Sequence, residues 1–172
     1  AAAGRRLAAY RRHRRLYPLW AALHEAIPTI ALTPAHSPFA DRLTVRRLEF
    51  RLYRRVIEIR DGQLALRGHY DPAAEEEARR AGVAAGLSGD ALRAHLEAVR
   101  IRAALAHRAR HGAAAAGHTP AGPPAPGGPS EHTGLSDETA WLVRVATAFA
   151  ALPPSVAAAG GEKEPARVKS VP

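Results

Sequence analysis

The chain has 172 residues and a formal net charge of +9, with 47% hydrophobic but only 5% aromatic residues. It contains no Cys, which excludes disulfides, thiolate nucleophiles and zinc sites built on thiolates. No apolar run approaches the roughly 20 residues that span a bilayer, and no secretory signal pattern is present. Met is absent even at position 1, so we expect a piece of a longer protein or a processed product.

The charge is unevenly distributed. Residues 1–60 hold 13 Arg and 4 acidic residues, whereas residues 61–172 are balanced at 12 basic and 12 acidic residues. The whole net charge therefore lies in the first third of the chain.

Two helices are predicted before residue 28. Residues 1–15 contain six Arg and no acidic residue, and their Ala, Leu and Arg content favours a basic helix. Pro18 is expected to interrupt it, because the residue before a proline avoids the helical region, and to begin a second helix. That helix carries one apolar stripe at helical spacing. The stripe consists of Leu16, Trp20, Leu23 and Ile27.

A central helix is predicted over residues 42–60, with one apolar face and one Arg-rich face. Asp61 and Gly62 are expected to end it in a turn. The apolar face consists of Val45, Leu48, Leu52, Val56 and Ile59. After it, Leu64 and Leu66 alternate with other residues and predict either a short extended segment or a helical turn.

The remainder of the chain predicts three more helices. Asp71 is expected to cap one of them and Ser88 the next, which should run to about His111. A last helix should begin near residue 136, with a buried side that consists of Trp141, Val145, Ala148 and Leu152. The Ala, Gly and Pro content of residues 112–133 and of the tail predicts disorder.

These elements predict an all-α domain of four to six helices. Its parts would be a basic juxtamembrane helix (1–15), a helical core (16–111), a linker (112–133), a closing helix that docks on the core (134–152) and a disordered tail (153–172).

Three motifs carry a family resemblance. They are residues 16–20 (LYPLW), residues 51–62 (RLYRRVIEIRDG), and residues 140–142 with 148–149 (AWL and AF). Residues 14–152 thereby resemble the C-terminal domain of unknown function in an actinobacterial family of proposed multi-pass membrane transporters, also labelled regulator components. The resemblance implies a soluble domain at the cytoplasmic face of the cell membrane, attached to an N-terminal transmembrane module. It implies no catalytic or ligand residues.

The first Arg group is a candidate site for a membrane surface or another anion. Basic residues that follow a transmembrane segment are typical of its cytoplasmic side, and Arg is attracted to anionic lipid. A solvated helix face and a nucleic-acid site are the alternatives, and no DNA- or RNA-binding motif supports the latter. The group consists of Arg5, Arg6, Arg11, Arg12, Arg14 and Arg15.

The second Arg group lies on the central helix. We interpret it as structural, with carboxylate partners expected among Glu49, Glu58 and residues 75–77; an anionic ligand site or a solvated face remains the alternative. The group consists of Arg46, Arg47, Arg51, Arg54 and Arg55.

No known catalytic pattern is present. Position 28 is Pro, so His24 and Glu25 do not form a zinc-protease motif, and no serine-hydrolase or phosphate-binding glycine pattern occurs. His107 and His111 have the spacing of two metal ligands but lack a third, so no metal and no cofactor are predicted. The sequence therefore predicts an interaction or regulatory domain and not an enzyme. Its expected partners are an anionic membrane, its own transmembrane module and a protein; a soluble nucleic-acid-binding regulator is the alternative.

Overall fold

The computed structural model describes residues 2–30, 45–112 and 134–153, which form five α-helices and two 3₁₀ turns without any strand. This confirms the predicted all-α class. The predicted linker and tail lie, apart from Gly112 and Pro153, outside the described residues. The helices are α1 (Ala2–Ala26), α2 (Val45–Ala65), α3 (Pro72–Ala84), α4 (Gly89–His111) and α5 (Leu135–Ala151). The 3₁₀ turns are Pro28–Ile30 and Arg67–His69.

Helix α1 is continuous through Pro18, so the prediction of two helices that meet there is wrong. A proline inside a helix removes one hydrogen bond to the carbonyl four residues earlier. Here Pro18 and Arg14 both lie on the exposed side of α1, where water can reach the carbonyl that lost its donor. The basic segment and the apolar stripe are consequently two halves of one helix.

Helix α2 continues through Asp61 and Gly62 to Ala65, so the predicted turn is also wrong. Gly62 is buried against Leu23 of α1, and a Cβ at this position would lie 3.2 Å from the Leu23 Cβ. The glycine therefore serves close packing of two helices and does not end one. Leu66 is buried after the helix end, whereas Leu64 is exposed.

Helix α3 begins directly after Asp71, and α4 lies between Ser88 and Gly112, as the sequence predicts. The Asp71 side chain accepts a hydrogen bond of 2.9 Å from the backbone N–H of Ala73, as the prediction of a capping residue requires. Ser88 occupies the N-cap of α4 without a side-chain hydrogen bond. Gly112 follows the last residue of α4 with φ of 77°, a conformation that favours glycine.

Helix α5 buries a face that is rotated from the predicted one. Val145 is buried as expected, but Trp141, Ala148 and Leu152 are only partly buried. The sequence pattern missed this rotation because Ala and Thr occupy positions on both sides of α5. The buried residues are Thr139, Leu142, Val145, Ala146 and Phe149.

The core lies between α1, α2, α4 and α5. Helix α1 packs against α2 and α5, α4 packs against α5 and α3, and α2 has α1 as its main partner. Contacts between α1 and α2 pair Arg55 with His13, Glu58 with Trp20 and Gly62 with Leu23. Because both numbers of each pair increase together, α1 and α2 run parallel, and their amino ends lie at the same end of the bundle.

The described helices include none that is both long enough and apolar enough to cross a bilayer.

Candidate interaction site

The amino-terminal half of α1 projects from the bundle. From Ala3 to Arg15, only Ala9 and His13 are partly buried among the residues whose side chains are described. Leu16, Leu19 and Leu23 then enter the core and are fully buried. One helix therefore joins an exposed end to a tightly packed end.

The exposed end of α1 is strongly basic. No acidic residue occurs before Glu25, and within the described parts of the chain none of these arginines has an ion-pair partner. The side chain of Arg5 lies outside the described ones. The exposed arginines are Arg6, Arg11, Arg12, Arg14 and Arg15.

Exposed apolar and aromatic side chains lie among these arginines and directly after them. Leu7, Tyr10 and Tyr17 are each about half exposed on the same stretch of α1. Such a mixture of guanidinium groups with aromatic rings is typical of segments that lie at a membrane interface.

The arginines of α2 differ from those of α1 because some of them are used inside the bundle. Arg54 forms an ion pair of 3.4 Å with Glu58, one helical turn later. Glu58 is 7% exposed and also accepts a hydrogen bond of 2.8 Å from the indole N–H of Trp20. The buried carboxylate of Glu58 thus accepts from Arg54 of α2 and from Trp20 of α1, and it links the two helices.

Arg55 lies against aromatic rings of α1 and forms no ion pair with a carboxylate among the residues that the structure describes. Its guanidinium carbon is 4.4 Å from the centre of the Trp20 ring, and it donates a hydrogen bond of 3.1 Å to the carbonyl oxygen of His13. Burial lowers the pKa of Arg55, with Arg51 adding to the effect and Glu58 and Tyr17 opposing it. Cation–π stacking therefore holds this half-buried charge against α1.

The described ion pairs of residues 75–77 are formed with arginines of α3 and α4. Glu75 lies 3.8 Å from both Arg79 and Arg100, and Glu76 lies 3.6 Å from Arg79, so their partners belong to α3 and α4. Helix α3 has α4 as its main neighbour, and Arg54 and Arg55 contact Glu58, Trp20 and His13. Arg51 is exposed, and the side chains of Arg46 and Arg47 lie outside the described ones.

A second buried carboxylate was not foreseen from the sequence. Glu97 of α4 is 9% exposed and accepts hydrogen bonds from the Trp141 indole N–H at 3.0 Å and from Gln63 Nε2 at 2.8 Å. Arg60 lies 3.5 Å from Glu97 and also pairs with Glu138 of α5. The signal that could have indicated this network is the position of Glu97 between Leu96 and Ala98, inside an apolar stretch.

Three histidines meet at the other end of the bundle. The Nδ1 atoms of His69 and His107 are 3.1 Å apart, and the rings of His107 and His111 lie 4.6 Å apart. Burial lowers the pKa of His69, and the neighbouring His107 and Arg108 lower it further. No group of three or more potential ligands suited to a metal occurs among the described residues, His107 and His111 included.

These observations define the class of the protein as a small helical bundle with an exposed basic end and buried Trp–Glu contacts between its helices. The chain belongs to DUF6545, a family of unknown function, whose model matches residues 5–151. Comparison with curated proteins and with solved structures gives no match.

Proposed function

We propose that the chain is the cytoplasmic interaction or regulatory domain of a membrane transporter or regulator, with no chemistry of its own. The basic half of α1 lies against the anionic inner leaflet and leads to a transmembrane module. The observation that carries this proposal is the set of exposed arginines on residues 6–15, which have no acidic residue near them in sequence.

The energetics favour a lipid surface over a solvated face. An Arg near an anionic leaflet is attracted by about 1 kcal/mol, so four of them contribute on the order of 4 kcal/mol, or roughly a thousandfold in binding. Leu7 and Tyr10 add apolar surface at the same place.

The absence of chemistry is part of the same proposal. The buried polar side chains Glu58, Gln63 and Glu97 form hydrogen bonds with side chains of the bundle: Glu58 with Trp20, and Glu97 with Gln63 and Trp141. Hydrogen bonds of this kind between helices serve helix packing.

Vesicle sedimentation of the whole chain tests the proposal. We expect binding to vesicles with anionic lipid, no binding to neutral vesicles, and a marked loss at high salt, because screening shortens the range of these charges. A variant with Arg11, Arg12, Arg14 and Arg15 all changed to Gln should lose binding by on the order of a thousandfold.

The matched control removes four exposed arginines from other helices and from the 3₁₀ turn. It changes Arg67, Arg79, Arg80 and Arg110 to Gln and should retain most of the binding. Equal binding to neutral and anionic vesicles would contradict the proposal, as would an equal loss in both variants. Preferential binding of a DNA or RNA duplex over anionic vesicles would replace it with the nucleic-acid alternative.

A further inference from the structure

Helix α2 exposes an apolar stripe that faces away from the core. Phe50 is 58% exposed, Tyr53 is 44% exposed and Leu64 is 57% exposed. Ile57 lies between them and is partly buried. The four side chains follow at spacings of three, four and seven residues, so they form one line along about 21 Å of the helix.

This stripe has the pattern of a coiled-coil seam. Positions 50, 53, 57 and 64 correspond to the a, d, a and a positions of successive heptads. The missing d position is Arg60, which is turned toward Glu138 and Gln63 within its own bundle. The core of the domain is built by the opposite face, which includes Leu52, Val56 and Ile59.

Charged residues flank the seam in a self-complementary way. Glu49 precedes Phe50 at a g position and Arg54 follows Tyr53 at an e position. In a parallel pair of helices, the g residue of one copy meets the e residue five positions later in the other copy. Glu49 is exposed and has no ion-pair partner among the residues that the structure describes.

We propose that a second copy of this chain covers the stripe, through a parallel α2–α2 coiled coil. Phe50, Tyr53, Ile57 and Leu64 each pack against the same residue of the second copy. Glu49 of each copy pairs with Arg54 of the other, and Arg54 keeps its contact with Glu58.

The parallel arrangement has a consequence for the basic ends. Because α1 and α2 run parallel within one chain, a parallel α2 pair places both basic halves of α1 at the same end of the dimer. The dimer proposal rests only on the apolar stripe of α2, and its test uses no lipid. A negative result would therefore leave the membrane proposal unaffected.

The first experiment measures mass. The 172-residue chain has a mass of 18.3 kDa, and we expect sedimentation equilibrium to give twice this mass at high concentration. Phe50→Glu and Leu64→Glu should each restore the single-chain mass, because each places a charge in the apolar seam. Both side chains are exposed, so their replacement leaves the core intact. Val83→Glu is the matched control: Val83 is 57% exposed on α3, and its change should leave the dimer unaffected. Circular dichroism checks that each variant retains its helix content.

The second experiment determines the orientation. The chain has no Cys, so a single introduced thiol reports only its own neighbours. Phe50→Cys and Leu64→Cys should each form covalent dimers on mild oxidation, whereas Val83→Cys should not.

Two results would overturn the proposal. One is a single-chain mass for the unmodified protein at every concentration. The other is cross-linking only in a mixture of Phe50→Cys with Leu64→Cys, which would indicate antiparallel helices. A single-chain mass accompanied by a loss of helix in Phe50→Glu would show that a segment of the same chain covers the stripe.

Discussion

Trp20 donates its indole N–H to Glu58 across the interface between α1 and α2, and Trp141 does the same to Glu97 across that between α5 and α4. These are the only two tryptophans in the chain, and each one binds a buried carboxylate. An indole ring covers apolar surface while its single N–H satisfies a charge that would otherwise be costly to bury.

Removal of the Trp20 donor should destabilise the domain. Trp20→Phe keeps a large ring but leaves Oε2 of Glu58 without its donor, and we expect a loss of about 1–3 kcal/mol in the free energy of unfolding. Chemical denaturation measures it. A double-mutant cycle with Glu58→Leu isolates the pair, and a coupling energy near zero would show that the contact contributes nothing.

Truncation of Arg55 should lower the stability of the domain more than truncation of Arg51, one helical turn earlier. Arg55→Ala removes a half-buried guanidinium that stacks on Trp20 and binds the His13 carbonyl, and it should cost about 1–3 kcal/mol. Arg51 is exposed, and Arg51→Ala should change stability by less than about 0.5 kcal/mol. Thermal melts of both variants compare them, and equal losses would contradict the difference in burial.

A methyl group at Gly62 should be harmful although Gly62 lies in a helix. Gly→Ala in a helix gains up to about 1 kcal/mol, but the added Cβ would lie 3.2–3.3 Å from three atoms of Leu23, and such overpacking costs about 1–3 kcal/mol. We expect Gly62→Ala to be net destabilising in urea unfolding.

Gly4→Ala is the control for Gly62→Ala, because Gly4 also lies in a helix but a Cβ added there would meet no atom within 4 Å. It should leave stability unchanged or raise it slightly. Stabilisation by both substitutions would show that α1 and α2 can move apart at no cost.

The stability of the domain should fall as the pH is lowered through the range of histidine titration. His69 is 3% exposed and its pKa is depressed from the ordinary 6.5, so the unfolded chain takes up a proton before the folded one does. The contribution of neutral His69 is therefore complete above about pH 6.5 and is lost as the pH falls toward its lowered pKa.

His69→Gln should remove this part of the pH dependence, and melts between pH 7 and 5 would measure it. His95→Gln is the control, since His95 lies on the same helix as His107 but apart from the His69 contact. An unchanged slope in His69→Gln would assign the pH dependence to other groups.

The helical class and the main apolar stripes could be predicted because they depend on local spacing. Leu16, Leu23, Val56 and Ile59 lie in the core as their periodicity indicates. The caps at Asp71 and Gly112 depend on neighbours within a few residues, and they too are visible in the sequence.

The features that were missed depend on contacts between distant segments. Gly62 resembles a helix stop until Leu23 is seen against it, and Glu97 resembles a surface residue until Trp141 reaches it. The rotation of the buried face of α5 has the same origin, because Leu142 and Phe149 are buried among residues of α1, α2 and α4 that are distant in sequence. Helix propensity depends on the local sequence, so it does not predict contacts between distant segments.

Because α1 is one continuous helix, its exposed half and its buried half move together. Its 25 residues extend about 37 Å, and most of the side chains described in its first half are exposed, whereas Leu16, Leu19 and Leu23 of the second half are buried in the core. A twist or tilt of the exposed end therefore also displaces those leucines. The force then acts on the contacts that α1 makes with α2 at His13, Trp20 and Leu23.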